Sequence, residues 1–256
     1  MNDARESARE LMRVGRQLND PRSTGFGLVL LMWIALTSNS WSEALEYSEQ
    51  ALAVAVTPLD RVSAMAGKGC ALVLLRRTDE GAALLEELRR RSVADGYLYL
   101  LTVIEPFIGL CEVLEGNMSE GIRLIEEAKL RQEKKGNRRL VSWYEGFLSE
   151  VYLQIIGGNE RVPFTTLLKN LPCLLTVMIT ASSRIRAFAT SGLENPYYDP
   201  EGQNIGHWQM VLGLLYKSKK KRALALQHLT EAKRILSQFG QTRMLARVET
   251  ALAELG

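Results

Sequence analysis

The sequence predicts an all-α fold in which antiparallel helix pairs stack along the chain. Composition is the first reason, because the 256 residues are 46% hydrophobic and 24% charged and are rich in Ala and Leu, which favour helix. The second reason is spacing, because small residues recur 12 positions apart at several places. The third is the presence of sequences typical of helix starts before some of these stretches.

The clearest repeat lies near the C-terminus. Its first helix carries the pattern L-G-x-x-Y and its second carries small and apolar residues four or three positions apart, at Leu212, Gly213, Tyr216, Ala225, Leu229 and Ala232. This order is typical of the tetratricopeptide repeat. A small residue on one helix faces a small residue on the next, so the helices cross closely and larger neighbours fill the remaining space.

The same spacing of 12 residues recurs upstream. The pairs, with the C-terminal one, are Met32 and Ala44, Gly69 and Gly81, Gly109 and Gly121, and Gly213 and Ala225. A degenerate first helix around Leu148, Ser149 and Tyr152 has Ser in place of Gly. The pitch is 37 residues from Ala44 to Gly81 and 40 from Gly81 to Gly121, against about 34 in the standard repeat. We therefore expect degenerate repeats with longer turns or helices.

These repeats predict one domain over residues 1–256, a right-handed superhelix of antiparallel helix pairs, that is, an α-solenoid. Residues 1–20 form a half-repeat or cap, 23–137 three repeats, 138–190 a degenerate repeat with irregular helices, 191–206 a loop, and 207–256 the last repeat and a capping helix. Ala4, Ala8 and Leu11 match a second helix whose first helix is missing. We expect the chain to be the C-terminal piece of a longer protein; the alternative is an atypical N-terminal cap.

Helix boundaries have recognisable signals. Ser40 and Asn117 are each followed three residues later by Glu, which predicts a capping box or a close relative of one. Pro163 and Pro172 suit the first turn of a helix. Pro106 falls within the first helix of its repeat, and predicts a kink or a late helix start.

No catalytic, metal or cofactor site is predicted. His207 and His228 are the two histidines, and no further ligands stand at metal-binding spacing around them; we expect His228 to face solvent. Gly67-Lys68 lacks the other residues of a phosphate loop, and no G-x-S-x-G motif occurs. Cys70, Cys111 and Cys173 lie in apolar stretches and are expected to be buried, reduced thiols.

Charge and hydropathy limit the classes of partner that the sequence predicts. The net charge of +3 does not point to nucleic acid. The basic run Lys219–Arg222 is interpreted as a solvated turn, with an acidic partner or nucleic acid as the alternative. The most apolar runs, Phe26–Leu36 and Pro172–Ala181, are shorter than a membrane span. We expect a soluble, cytoplasmic protein without a membrane segment or signal peptide.

The concave face of such a solenoid is lined by the first helices of its repeats. Counting from each small residue gives an apolar candidate groove at Val29, Trp33, Leu110, Trp143, Met210 and Leu214, together with Leu36, Ala66, Cys70, Val73, Pro106, Val113 and Lys217. An apolar groove suggests a cover: another part of a longer chain, a second copy, or an amphipathic helix of a partner. The alternative is that these residues form the core between repeats.

Five segments carry a resemblance: Gln17–Gly25, Glu43–Ala53, Gly69–Leu75, His228–Arg234 and Ala251–Leu255. Together they resemble the C-terminal helical-repeat region of large bacterial class III adenylate cyclases, in which a cyclase domain and an ATPase-like module precede the repeats. The resemblance spans nearly the whole chain. No part of the chain matches the cyclase domain, so the resemblance supplies no catalytic residue.

Three functions are therefore open. The first is the regulatory or interaction module of a multidomain cyclase, whose partners are the other domains of the same polypeptide. The second is a free-standing scaffold that recruits a partner protein, with a homo-oligomer also possible. The third is a small-ligand sensor that uses the groove and the loop 191–206.

Overall fold

A computed structural model describes residues 2–157, 164–239 and 242–256. These residues form α-helices and contain no strand, so the all-α prediction is confirmed. In chain order the helices are α1 (Asn2–Gln17), α2 (Pro21–Thr37), α3 (Trp41–Val54), α4 (Pro58–Leu74), α5 (Thr78–Ala94), α6 (Leu98–Leu114), α7 (Met118–Lys134), α8 (Arg138–Gly157), α9 (Phe164–Lys169), α10 (Leu171–Leu193), α11 (Gln203–Ser218), α12 (Arg222–Ser237) and α13 (Thr242–Ala253).

The chain divides into two compact units, Met1–Glu115 and Gly116–Gly256. In the first unit, helices α1 to α5 each pack against the next helix along the chain. In addition α2 contacts α4, and α4 contacts α6, so these three helices form one layer. Sequential packing of this kind fits an α-solenoid.

The second unit is less regular. Helices α7 and α8 pack together, and α10 packs against both α8 and α11. Helix α11 also contacts α12 and α13, which close the C-terminal side of its core. Among the core side chains, Trp208 and Tyr144 are the largest, at 2% and 0% exposure.

Paired helices approach most closely where a glycine on one meets a larger side chain on the next. A Cβ atom on Gly69 of α4 would lie 2.5 Å from Leu85 Cδ2 on α5. One on Gly213 of α11 would lie 2.6 Å from Leu229 Cγ on α12. Carbon atoms in contact normally lie about 3.5–4.0 Å apart. Glycine at these positions therefore leaves the space that the leucine of the paired helix fills.

The same packing joins α1 to the rest of its unit. A Cβ atom on Gly27 of α2 would lie 2.9 Å from the carbonyl oxygen of Ala8 and 2.9 Å from the backbone nitrogen of Met12, both on α1. Ala8 is 1% exposed. Helix α1 thus pairs with α2 through its backbone.

Replacing Gly213 by Ala should lower the free energy of unfolding. In a helix Ala is favoured over Gly by about 1 kcal/mol, but here the new methyl group would also meet the Leu229 backbone nitrogen at 3.1 Å. We expect a net loss of roughly 1–3 kcal/mol in urea denaturation. Gly146→Ala is the matched control, because its Cβ would meet only His207 Nε2 at 3.5 Å, and it should be neutral or stabilising. Equal effects of the two substitutions would contradict the packing argument.

Most turns between helices contain one residue with left-handed backbone. The residues and their φ angles are Asn19 (52°), Asn39 (58°), Arg76 (65°), Gly96 (78°), Gly116 (86°), Gly136 (69°) and Lys220 (57°). The next backbone N–H then returns to the helix end: Asp20 donates to the Gly15 carbonyl at 2.8 Å, and Arg77 to the Leu72 carbonyl at 2.9 Å. These bonds satisfy carbonyl groups at the helix end and turn the chain sharply.

Substitutions in these turns should change stability through the backbone alone. A Cβ atom on Gly136 would have no atom within 4 Å, so Gly136→Ala adds strain without a clash. We expect it to cost about 1 kcal/mol in chemical denaturation, because left-handed backbone is unfavourable for L-residues with a Cβ. Lys220→Gly should stabilise slightly, by less than this amount, because glycine loses more entropy on folding. A Gly136→Ala variant as stable as the parent would contradict the expectation.

Two predictions of helix starts are wrong in detail. Ser40 and Asn117 do occupy the residues before α3 and α7, but neither side chain makes a capping hydrogen bond. Asn117 Oδ1 instead accepts a hydrogen bond from Lys169 Nζ. A true capping box begins α4, where Asp60 N–H donates to Thr57 Oγ1 at 3.2 Å and Thr57 N–H donates to Asp60 Oδ2 at 2.9 Å.

The prolines and the long loop also differ in part from expectation. Pro172 lies in the first turn of α10, as predicted, and Pro163 lies outside the described residues. Pro106 lies inside α6, which begins at Leu98, so no late start occurs. Because α10 continues to Leu193 and α11 begins at Gln203, the loop covers residues 194–202 and is shorter than the predicted 191–206.

Helix α10 is unusually apolar. By length and composition it could cross a membrane, since the predicted short run Pro172–Ala181 is part of a helix of 23 residues. A single helix of this kind is weak evidence for a membrane segment, because core helices can have the same composition.

Candidate interaction surfaces

In the unit Met1–Glu115, the layer of α2, α4 and α6 contains the first part of the predicted groove. Val29 and Trp33 of α2 and Leu110 of α6 are half-buried and keep part of their surface. The groove positions on α4 are buried completely and pack in the core: Ala66, Cys70 and Val73. The accessible part of this candidate groove therefore lies on α2 and α6.

Exposed apolar side chains extend this surface toward the N-terminal turns of the same three helices. Phe26 of α2 is 58% exposed, Leu59 of α4 is 39% exposed and Tyr99 of α6 is 53% exposed. Ser63 of α4 and the Tyr99 hydroxyl form a hydrogen bond of 3.3 Å, which links neighbouring helices of the layer. We call Phe26, Leu59 and Tyr99 the apolar row.

Sequence reasoning missed the apolar row, although a signal was present. Phe26 stands seven residues before Trp33, so both lie on the same face of α2. Leu59 and Tyr99 each stand ten residues before the small residue of their helix, Gly69 and Gly109. Counting outward by two more turns beyond the position three residues before each glycine would have included Leu59 and Tyr99.

In the unit Gly116–Gly256, the groove residues do not form an open surface of the same kind. Met210 is 1% exposed and packs in a core cluster with Leu229, Ala232, Leu236, Val248 and Ala251. Leu214 lies half-buried at the edge of that cluster. Trp143 is also half-buried, and its ring meets the Phe147 ring edge-on at 5.1 Å. Met210 therefore belongs to the core between helices, as the alternative interpretation of the groove positions predicted.

The residues singled out for repeat packing are mostly buried. Gly109 and Gly121 are buried in α6 and α7, and Ala225 and Ala232 are 0% exposed. Tyr216 is half-buried; its ring stacks on the His228 ring with centroids 5.4 Å apart.

The sequence predicted that His228 faces solvent, but the side chain is packed against a neighbouring helix. It is half-buried, and its Nδ1 forms a 2.7 Å hydrogen bond with Gln209 Oε1. Burial lowers the pKa of its imidazole. The ring therefore acts as a packing residue between α11 and α12.

Helix α8 carries a buried carboxyl group. Glu145 is 6% exposed, and its Oε2 has no hydrogen-bond partner in the part of the chain that the structure describes. Removal from water raises the pKa of Glu145 to about 7, Lys129 opposes the rise, and Glu133 adds to it. Tyr198 of the 194–202 loop lies close by; burial raises its pKa, and the Glu145 charge adds to the rise. The carboxyl group thus titrates near neutral pH inside the protein.

This carboxyl group should make stability depend on pH. Its folded-state pKa of about 7 exceeds the ordinary value of 4.5, so the folded protein retains a proton that the unfolded chain releases between these values. The contribution to stability is complete below pH 4.5 and is lost as the pH rises through 7. At pH 8, Glu145→Gln should raise the free energy of unfolding by roughly 3 kcal/mol, and the difference should shrink toward zero at low pH.

Chemical denaturation at several pH values measures this effect. Glu127→Gln on α7 is the control, because Glu127 is an exposed carboxylate paired with Arg123. A Glu145→Gln variant whose stability follows the same pH profile as the parent would contradict the account.

The basic run after α11 is partly used within the protein. Lys217 Nζ pairs with Glu254, and the Arg222 guanidinium donates to the carbonyl oxygens of Leu255 at 2.8 Å and Gly256 at 3.0 Å. Residues 219–221 of the turn are exposed, which fits the interpretation as a solvated turn.

An open groove of about 580 Å³ lies beside the turn between α1 and α2. Its lining includes Arg16, Asn19, Asp20 and Gln50. The Asp20 carboxylate already has hydrogen-bond partners within the protein, since it accepts hydrogen bonds from the Arg22 backbone N–H at 3.0 Å and from the Ser23 hydroxyl. Arg16 and Gln50 supply polar side chains to the remaining wall.

Nucleophile and metal chemistry have little support in the described ranges. Cys70 and Cys111 are buried, and Cys173 is half-buried. Burial raises the pKa of the Cys111 thiol to about 12 and that of Cys70 well above its ordinary value, so neither is a ready thiolate. Within residues 2–157, 164–239 and 242–256, no three His, Cys, Asp or Glu side chains are grouped to hold a metal ion.

No protein-family model matches the chain, and no curated protein matches it.

Proposed function

We propose that the chain is a non-catalytic interaction module whose helix pairs are of the tetratricopeptide kind and form a right-handed superhelix. The observation that carries the proposal is the apolar row, Phe26, Leu59 and Tyr99, on the neighbouring helices α2, α4 and α6 of one layer. Exposed apolar patches mark interaction sites, whereas apolar residues scattered singly over a surface are normal, and three large apolar side chains on neighbouring helices of one layer support a patch. The half-buried Val29, Trp33 and Leu110 extend the row along α2 and α6.

The occupant of this surface is an apolar segment of a protein, such as one face of an amphipathic helix. The resemblance to the repeat region of class III adenylate cyclases suggests its source. The segment then belongs to other domains of the same cytoplasmic polypeptide, and the module regulates a cyclase. In the alternative, the chain is a free-standing scaffold and the segment belongs to a separate protein.

The size of the native product separates these two sources. An immunoblot of the source cell with an antibody to this chain would show a band near 28.7 kDa for a free-standing scaffold. A much larger band would favour the regulatory module of a multidomain protein.

Phe26→Asp tests the surface itself. Because a charge on the apolar row would have to lose its water on binding, the variant should weaken partner capture in the source cell by at least about tenfold. Val93→Asp is the matched control: Val93 is 59% exposed but lies on α5, outside the layer, and should leave capture unchanged. Equal capture by Phe26→Asp and the parent would contradict the proposal.

A small-ligand sensor is a second candidate, favoured by the open groove beside the α1–α2 turn. A ligand that binds only the folded protein raises its melting temperature. In a thermal-shift screen, a hit whose effect disappears in Arg16→Ala would support this function, and hits insensitive to that change would not.

A further inference from the structure

Helices α9 and α10 expose an apolar surface that is separate from the apolar row. Six large side chains on these helices are between 39% and 80% exposed, and we call them the α9–α10 face: Leu167, Leu168, Leu171, Leu175, Met178 and Ile179. Within α10, Leu171, Leu175 and Met178 are separated by four and three residues, and Ile179 follows four residues after Leu175, so these side chains share one face of the helix.

Hydrogen bonds fix the N-terminal end of this face. Asn170, between α9 and α10, is 3% exposed. Its amide nitrogen donates to the carbonyl oxygens of Gly116 at 2.7 Å and Thr166 at 2.8 Å, and its Oδ1 accepts from the Met118 N–H at 3.0 Å. The corner is therefore tied to the start of α7, and the exposure of the neighbouring leucines is part of an ordered structure.

The other half of α10 is equally well anchored. Ile185 is 0% exposed and Phe188 is 8% exposed. Arg184 pairs with Glu126 of α7, which also accepts a 2.9 Å hydrogen bond from the Tyr152 hydroxyl of α8. Because these contacts hold one side of α10 against its unit, the helix cannot turn its apolar face inward.

Charge argues against a lipid surface as the occupant. Residues 170–183 contain no charged side chain, and the exposed Arg186, seven residues after Ile179, donates from its Nε to the Ser182 carbonyl oxygen of its own helix at 3.2 Å. The nearest cations along the chain are occupied, since Lys169 donates to Asn117 and Arg184 pairs with Glu126. Helices that lie on anionic membranes combine an apolar face with free Lys and Arg beside it. An uncharged face instead suits a partner face that is itself apolar and uncharged.

Area and symmetry favour a second copy of the chain. From their exposed fractions, the six side chains present on the order of 400 Å² of apolar surface. This is about half of the roughly 800 Å² that each partner contributes to a standard interface, enough for its apolar centre. In a two-fold dimer the same face meets itself, and the six apolar side chains meet no like-charge repulsion among themselves.

We propose that the α9–α10 face binds the same face of a second copy, so that the chain is a two-fold dimer through α10. The dimer contact uses the exposed side of α10 and not the apolar row. A negative result for the dimer would therefore leave the proposed interaction module untouched, and the reverse also holds.

Sedimentation equilibrium of the full chain across a concentration series tests the dimer. The parent should show twice the monomer mass of 28.7 kDa. Ile179→Asp and Leu175→Asp should each raise the dissociation constant by about a hundredfold or more, because each places an unpaired charge on both sides of the contact. Leu130→Asp is the matched control: Leu130 is 48% exposed on α7, outside the α9–α10 face, and should leave the dimer intact.

The melting temperature of the monomer and binding to lipid vesicles are also measured. Ile179 is 80% exposed, so Ile179→Asp should retain the parent melting temperature when both are measured as monomers. A parent that stays monomeric up to on the order of 100 μM, or an Ile179→Asp variant that still dimerises, would overturn the proposal. Co-sedimentation of a monomeric parent with phosphatidylserine vesicles, lost in Ile179→Asp, would overturn it in favour of a membrane surface.

Discussion

The close approach of paired helices at small residues is the constraint on which the other features depend. Gly69 leaves room for the Leu85 side chain of the paired helix, and Gly213 leaves room for Leu229. In the first unit the alternate helices also pack together, since α4 contacts both α2 and α6. Leu59 and Tyr99 stand at equivalent repeat positions of this layer, ten residues before Gly69 and Gly109, and Phe26 lies on the third helix of the layer, six residues before Met32.

The sequence predicted this packing better than it predicted the ends of helices. Spacing located helix pairs because small residues are required wherever backbones approach, whatever the surroundings. Capping at Ser40 and Asn117 was not predictable, because a suitable residue type does not determine where its side chain points. The turns offered a signal that was missed: Gly96, Gly116 and Gly136 recur every 20 residues at positions that need left-handed backbone.

The candidate surfaces show the limit of counting positions. The predicted groove positions include the half-buried Trp33 but also the buried Cys70 and Met210. Burial depends on the neighbouring helices as well as on the position within the helix itself. The exposed half of α10 could not be inferred from its composition, which equally suits a core helix. Glu145 likewise reads as an ordinary surface residue until α7 and the 194–202 loop are seen beside it. Both proposed interaction surfaces therefore depend on what the structure shows more than on what the sequence predicts.

A double-mutant cycle on Gly69 and Leu85 tests the packing constraint most directly. The methyl group of Gly69→Ala would clash with the Leu85 side chain alone, since the next nearest atom, the Gly81 carbonyl oxygen, is 3.8 Å away. Chemical denaturation of both single variants and the double variant with Leu85→Ala should show that Gly69→Ala costs stability only while Leu85 is present. The expected coupling is about 1–2 kcal/mol. Additive effects of the two substitutions would contradict the account.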